Sequence, residues 1–154
     1  MTIIAVLCYV IKDDNVLLIK KRRGFGVGKI NAPGGRVERE ETLKQAAIRE
    51  CEEETGIRPL HLEYRGLIEF YSVNNDPDWI VHIFVAKDFE GELRESEEAE
   101  PRWYKLDELP YESMWEDDYY WLPYVLCGKS IKAKFWYDRN YTRVLHYEVE
   151  IINH

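Results

Sequence analysis

The sequence predicts an α/β sandwich, a mixed β-sheet with helices on both faces. Three observations predict it. Apolar, β-branched runs of strand length recur along the whole chain. Two segments, one near residues 42–55 and one within 117–128, have helical character instead. The 154 residues hold no repeat and no low-complexity linker, so one domain over residues 1–154 is expected. Strands mixed with two helices bury their apolar faces by layering.

The elements follow in order. "TIIAVLCYVI" is rich in β-branched residues and closed by the turn signal "KDDN"; with "VLLIKKR" it forms a hairpin, strands near 3–11 and 16–22. "GFGVGK" is a loop with three glycines, and "NAPGGRVE" is a second irregular stretch. Segment 42–55 is the clearest helix, with Thr42 near its start and Gly56 where a helix stops. "LEYRGLIEFYSV" and "WIVHIFVAKDF" are strands on either side of the loop "NNDPD", and "RWYKL" is a short strand. "DDYYWLPYVLCG" is the second helix, with Pro123 in or near its first turns. "KAKFWYD" and "YTRVLHYEVEI" make a closing hairpin.

Composition excludes some functions. A net charge of −8 argues against a sequence-independent nucleic-acid binder, which needs a basic surface. It also requires that any polyphosphate ligand arrive with cations. The apolar run at the N-terminus is too short to span a bilayer and has no basic flank, so no membrane association is expected. Cys8, Cys51 and Cys127 are far apart and show neither disulfide nor zinc spacing; a reducing, cytoplasmic setting is expected. Five Trp and eleven Tyr are many for one small core, which points to rings in a pocket.

"IRECEEETGI" holds four glutamates. At ~100° per residue, Leu43, Ala46, Ala47, Glu50, Glu53, Glu54 and Ile57 share about one third of the helical circle, with Lys44, Gln45 and Glu52 opposite. Three acids are thus expected on the face turned to the protein body. A solvated acidic face is the ordinary reading of such a run. Inward carboxylates must instead take up protons, pair with Arg or Lys, or bind a metal. Arg49 alone cannot neutralise three of them, and hard divalent cations prefer carboxylate oxygen.

The wider pattern is more specific. Gly35, five residues on Glu41, and seven residues further Arg49-Glu50-Cys51-Glu52-Glu53-Glu54-Thr55-Gly56-Ile57 resemble the Nudix box, G-x5-E-x7-R-E-U-x-E-E-x-G-U, with U a bulky aliphatic. Only Cys51, small but apolar, departs from it. The resemblance implies a Nudix-type α/β/α sandwich that hydrolyses nucleoside diphosphate derivatives with Mg²⁺, or Mn²⁺. It implies Glu50, Glu53 and Glu54 as metal ligands or general base, Arg49 as orienting one of them, and Glu41 as holding the loop–helix–loop in shape. The Gly34 carbonyl is implied as a further ligand.

"KKRRGFGVGKINAPGGRVE" with "MWEDDYYWLP" is similar to the MutT-like oxidised-purine nucleoside triphosphatases, which act on 8-oxo-dGTP and 2-hydroxy-dATP. That likeness implies a base pocket of Asn31, Trp115, Asp117 and Asp118, with Phe25, Phe70 and Trp79 as walls. It also implies Glu98 as an additional metal-site acid and Lys21 as a phosphate contact. Glu116, "NAPGG" and Ile30 depart from the subfamily's usual residues and bear on base preference. Of two adjacent carboxylates in an aromatic pocket, one should keep its proton near neutral pH and offer a purine edge both a donor and an acceptor. Asp117 or Asp118 is equally suited to N-cap the second helix, and His82 reads as a strand residue. Hydrolysis of an oxidised purine nucleoside triphosphate to monophosphate and pyrophosphate is the leading expectation. A broader pyrophosphohydrolase and a non-catalytic nucleotide-binding module are the alternatives. A small nucleotide, with no nucleic-acid or protein partner, is the ligand implied.

Overall fold

The computed structural model describes residues 1–152. The first hairpin is β1 (Ile3–Lys12) and β2 (Asn15–Lys21), joined across Asp13-Asp14. Two short strands follow, β3 (Ile30–Asn31) and β4 (Gly34–Arg36). Helix α1 (Leu43–Thr55) starts at Thr42, whose hydroxyl accepts from Gln45 N–H while the Gln45 side chain accepts from Thr42 N–H. This reciprocal box satisfies two otherwise orphaned donors. Gly56 ends the helix at φ 81°, a left-handed position that strains any residue with a Cβ.

Then come β5 (Ile57–Leu60), β6 (Glu63–Tyr71), β7 (Trp79–Ala86), β8 (Asp88–Gly91) and β9 (Ala99–Lys105). Helix α2 (Asp118–Leu126) carries Pro123 in its second turn. The chain's last two described strands are β10 (Ser130–Tyr137) and β11 (Val144–Ile152), paired antiparallel. "WIVHIFVAKDF" is therefore not one strand: pairing with β1 and β6 ends at Ala86, and β8 leaves to pair with β5 as a separate two-stranded ribbon.

The main sheet runs β11-β10-β6-β7-β1-β2-β3, with β4 paired to β1 and β9 to β2. It is mixed: β1 with β7 and β6 with β10 are parallel, the other pairs antiparallel. β1 explains the two-layer design. Its odd residues Ala5, Tyr9 and Ile11 join the core under α2, with Trp121, Leu122, Val125, Ile68 and Phe135. Its even residues Val6, Cys8 and Val10 join the core under α1, with Ala46, Ala47, Cys51 and Leu17. A strand buried on both faces needs a continuous apolar run, which is how its sequence reads. His82 sits within β7, its Nδ1 2.7 Å from the Tyr64 hydroxyl. No helix among the described residues is long and apolar enough to cross a membrane.

Candidate active site

A cavity of about 450 Å³ runs from the inner flank of α1, across β1 and β4, to the start of α2. Its α1 end is built on glutamates. Arg49 grips Glu41 with two donors, Nε to Oε2 at 2.6 Å and Nη2 to Oε1 at 3.0 Å, and reaches Glu50 Oε1 with Nη1 at 2.5 Å. Arg49 Nη2 also donates to the Arg36 carbonyl at 3.1 Å. One guanidinium thus ties the loop before α1, the end of β4 and a cavity-facing acid together, a use of its fixed fork geometry. The Glu41 carboxyl is held below its ordinary range by Arg49 and by a backbone bond from Glu38.

Glu54 Oε1 accepts from Gly34 N–H at 2.8 Å. Burial, together with repulsion from Glu50 and Glu53, pushes the Glu54 carboxyl up to about 8 against the Gly34 bond and Lys21. Burial raises Glu50 as well, against Arg49. Lys21 faces both acids, lowering each.

Glu53 departs from the inward position expected of it. Its side chain is 60% exposed, near Arg49 Nη1 at 3.4 Å, and it does not line the cavity. The buried arc of α1 is Ala46, Ala47, Cys51, Glu54 and Thr55. Measured from Ala47 at ~100° per residue, that arc spans about −100° to +80°, and Glu53 falls near −120°, just past its rim.

Glu50 packs where Gly35 leaves room: a Cβ there would lie 1.9 Å from Glu50 Oε2. Gly35→Ala is therefore expected to push the Glu50 carboxylate off its seat and lower kcat by roughly 10²-fold, an effect read by steady-state kinetics.

Glu98 lines the cavity but is paired with Arg23, whose Nε lies 2.9 Å from Oε1. Arg22 and Arg23 are engaged by Glu95, Glu97, Glu98 and Glu100, so of the basic run it is Lys21 and Arg23 that reach the cavity wall. Among the described residues, no three His, Cys, Asp or Glu side chains converge as a ready-made metal cage. The donors nevertheless fit a hard divalent ion. Glu50 and Glu54 offer carboxylate oxygens one helical turn apart, both raised by desolvation, beside Gly34. Glu53 is not part of that inner set.

The other end is aromatic and polar. Phe25 stacks on Trp115 (5.2 Å, 22°) and on Trp79 (5.8 Å, 21°). Lys29 Nζ lies over the Trp115 ring at 5.3 Å, and Arg36 lies over Trp79 at 5.7 Å. Phe70 lines the cavity and also packs on the core, stacked on Phe135 at 6.1 Å. Asn31 Oδ1 accepts from Ala32 N–H at 2.8 Å, which leaves its Nδ2 donors for the cavity.

Asp117 and Asp118 both line the cavity and both are buried. Asp117 stands at the N-cap position of α2, yet its side chain makes no cap bond. Its Oδ1 accepts from the Tyr137 hydroxyl at 2.5 Å and its Oδ2 from Trp121 Nε1 at 2.8 Å. Asp118 Oδ2 is buried with no hydrogen-bond partner among the described residues. Burial raises Asp117, and burial plus the neighbouring Asp117 raises Asp118 well above its ordinary range. Glu116 turns outward, and its Oε1 accepts from Val144 N–H at 2.9 Å.

Sequence reasoning missed Tyr137, Tyr141 and Lys29 at the cavity and Trp121 behind it. The aromatic content of the closing hairpin and of α2 was the only signal, and it named no partner.

The NUDIX domain model matches residues 1–125. The chain is 42% identical over 129 residues to the oxidized purine nucleoside triphosphate hydrolase of Danio rerio, covering 84% of this chain and 83% of that protein. It is 40% identical over 129 residues to the Mus musculus protein of the same description, again covering 84% and 83%. The crystal structure of a MutT protein from Bacillus halodurans superposes with a TM-score of 0.84 at 29% identity, covering 96% of this chain and 97% of that one. Its mixed sheet, its two helices and the box from Gly35 to Ile57 together say that the chain belongs to the Nudix hydrolase family.

Proposed function

We propose that this protein hydrolyses oxidised purine nucleoside triphosphates, such as 8-oxo-dGTP and 2-hydroxy-dATP, to the monophosphate and pyrophosphate, as one catalytic domain working with Mg²⁺ or Mn²⁺ in the cytoplasm. One observation carries the reading. A single cavity joins a glutamate-lined end, fit for a cation and phosphates, to a buried acid pair and a fixed amide, fit for a base. The Danio and Mus relatives, described as oxidized purine nucleoside triphosphate hydrolases, support it.

The roles follow from the chemistry of each group. Glu50 and Glu54, with the Gly34 carbonyl, would hold the ion; Glu98, once released by Arg23, would add to it. Glu53, at the rim, is placed to act on solvent-side ligands. When bound, the ion supplies charge neutralisation for phosphate oxygens and a more acidic water. Arg49 keeps Glu50 aimed inward, Glu41 keeps Arg49 in place, and Lys21 meets the phosphate chain. At the far end, Trp115, Trp79, Phe25 and Phe70 bound the slot for the base. Asp117 accepts, while Asp118 and Asn31 donate. That order suits an edge with an N–H beside a carbonyl, as the N7–H and O6 of 8-oxoguanine provide. Guanine turns an N7 lone pair toward the same acceptor.

The test is pyrophosphate release from 8-oxo-dGTP, 2-hydroxy-dATP, dGTP and ATP with Mg²⁺, products identified. The oxidised substrates are expected to lead dGTP and ATP by about tenfold or more in kcat/KM, and a chelator is expected to abolish turnover. Comparable rates on all four would favour the broader pyrophosphohydrolase.

A further inference from the structure

The acid pair is wired asymmetrically, and the wiring runs through Tyr137. Its hydroxyl has one proton to give. The Asp117 backbone N–H donates to that oxygen at 3.0 Å, and the hydroxyl in turn donates to Asp117 Oδ1 at 2.5 Å. The two bonds close a small ring around one residue and leave the hydroxyl proton a single direction. On the other carboxylate oxygen, Trp121 Nε1 donates at 2.8 Å, and an indole N–H can only donate. Both oxygens of Asp117 therefore face donors. A proton on Asp117 would have to displace one of them.

Asp118 has the opposite environment. It receives a bond from the Trp115 backbone, but its buried Oδ2 has no partner among the described residues. A buried, unpartnered carboxyl oxygen is the cheaper place for a proton. The other charged and titratable groups facing the pair do not reverse this. Glu116 acts on Asp117 from the same segment, Tyr9 from β1 and Tyr111 from the turn before α2 face Asp118, and Lys29 is the cation near Asp118.

We infer that the Tyr137 hydroxyl is a positioning residue that seats the pair's shared proton on Asp118, keeps Asp117 the acceptor, and so fixes the donor–acceptor order of the base edge the pocket takes. This rests on the reading of the cavity end as a base site. It predicts that 2-hydroxyadenine, whose N7 lone pair and N6 amino group present the reverse order, is the poorer of the two oxidised substrates for the parent and gains relative to 8-oxo-dGTP when the hydroxyl is removed.

The experiment is carboxyl ¹³C NMR of the whole chain labelled at aspartate, with Asp117→Asn and Asp118→Asn assigning the two resonances. In the parent, Asp117 is expected to ionise at lower pH than Asp118. In Tyr137→Phe, the Asp117 midpoint is expected to rise by about one pH unit or more, a tenfold shift in its proton affinity. The acid limb of kcat/KM for 8-oxo-dGTP should rise with it, mostly through KM. Trp121→Phe removes the other donor and should move Asp117 the same way; it serves as the second variant if thermal unfolding shows Tyr137→Phe to be misfolded. An unmoved Asp117 midpoint, or a loss of activity that is equal at every pH, overturns the inference. A midpoint that moves in a parent inactive on oxidised purines leaves the proton placement standing and removes the substrate reading instead.

Discussion

Glu54→Gln is expected to lower kcat by roughly 10²–10³-fold while leaving the protein more stable at pH 8 than the parent. The two effects have one origin. Glu54 is buried, accepts one bond from Gly34 N–H, and has its carboxyl raised to about 8 from an ordinary 4.5, chiefly by burial. A raised carboxyl is held protonated in the folded chain after the unfolded chain has lost its proton. Between pH 4.5 and 8 the folded state therefore binds more protons, and stability falls as pH rises through that window. Glutamine keeps the shape, has no proton to lose, and erases that slope. It also offers a cation no negative charge. Thermal unfolding across pH, with and without Mg²⁺, checks both halves: Mg²⁺ should flatten the parent's slope and leave the variant unchanged. A variant with parental kcat would remove Glu54 from the metal set.

Asp117→Asn should lower kcat/KM on oxidised purine nucleotides by about 10²-fold with Mg²⁺ binding intact. The amide can keep its oxygen on Trp121 Nε1 and turn its NH₂ to Tyr137, whose hydroxyl then accepts, so a donor stands where the carboxylate had an acceptor. On the reading proposed above, the site then loses the acceptor that Asp117 offers the base. Calorimetry with Mg²⁺ alone separates this from damage at the glutamate end. Equal turnover by variant and parent across pH would dismiss the acid pair as a base reader.

Much of this was legible in the chain because the signals were local. Thr42 and Gly56 bracket α1 within one or two residues, and the apolar runs of β1 and β2 mark them as strands. Glu53 was misplaced for a physical reason. Its angle on the wheel fits an acidic stripe, but the buried arc is pulled to the other side by Cys51, which packs in the core with β1, and by buried Thr55, whose hydroxyl donates to the Cys51 carbonyl. β5 and β8 stayed hidden because each is four residues long and pairs only with the other, 34 residues away at Ile57–Gly91. The role of Asp117 could not be read from its neighbours at all. The N-cap position is local, whereas the hydroxyl that holds its carboxylate lies 20 residues further along the chain.

Phe25 stacks on both Trp79 and Trp115 while the residue remains 54% exposed. A purine entering that slot exchanges one flat hydrocarbon neighbour for another. On the reading proposed above, stacking gained on arrival would be offset in part by wall contacts that Phe25 gives up to make room. Normal and damaged bases have nearly the same faces, so a pocket that rewarded faces would hold abundant undamaged nucleotides as readily as rare damaged ones. On the reading proposed above, walls that already stack on one another would leave polar edges to decide which base stays.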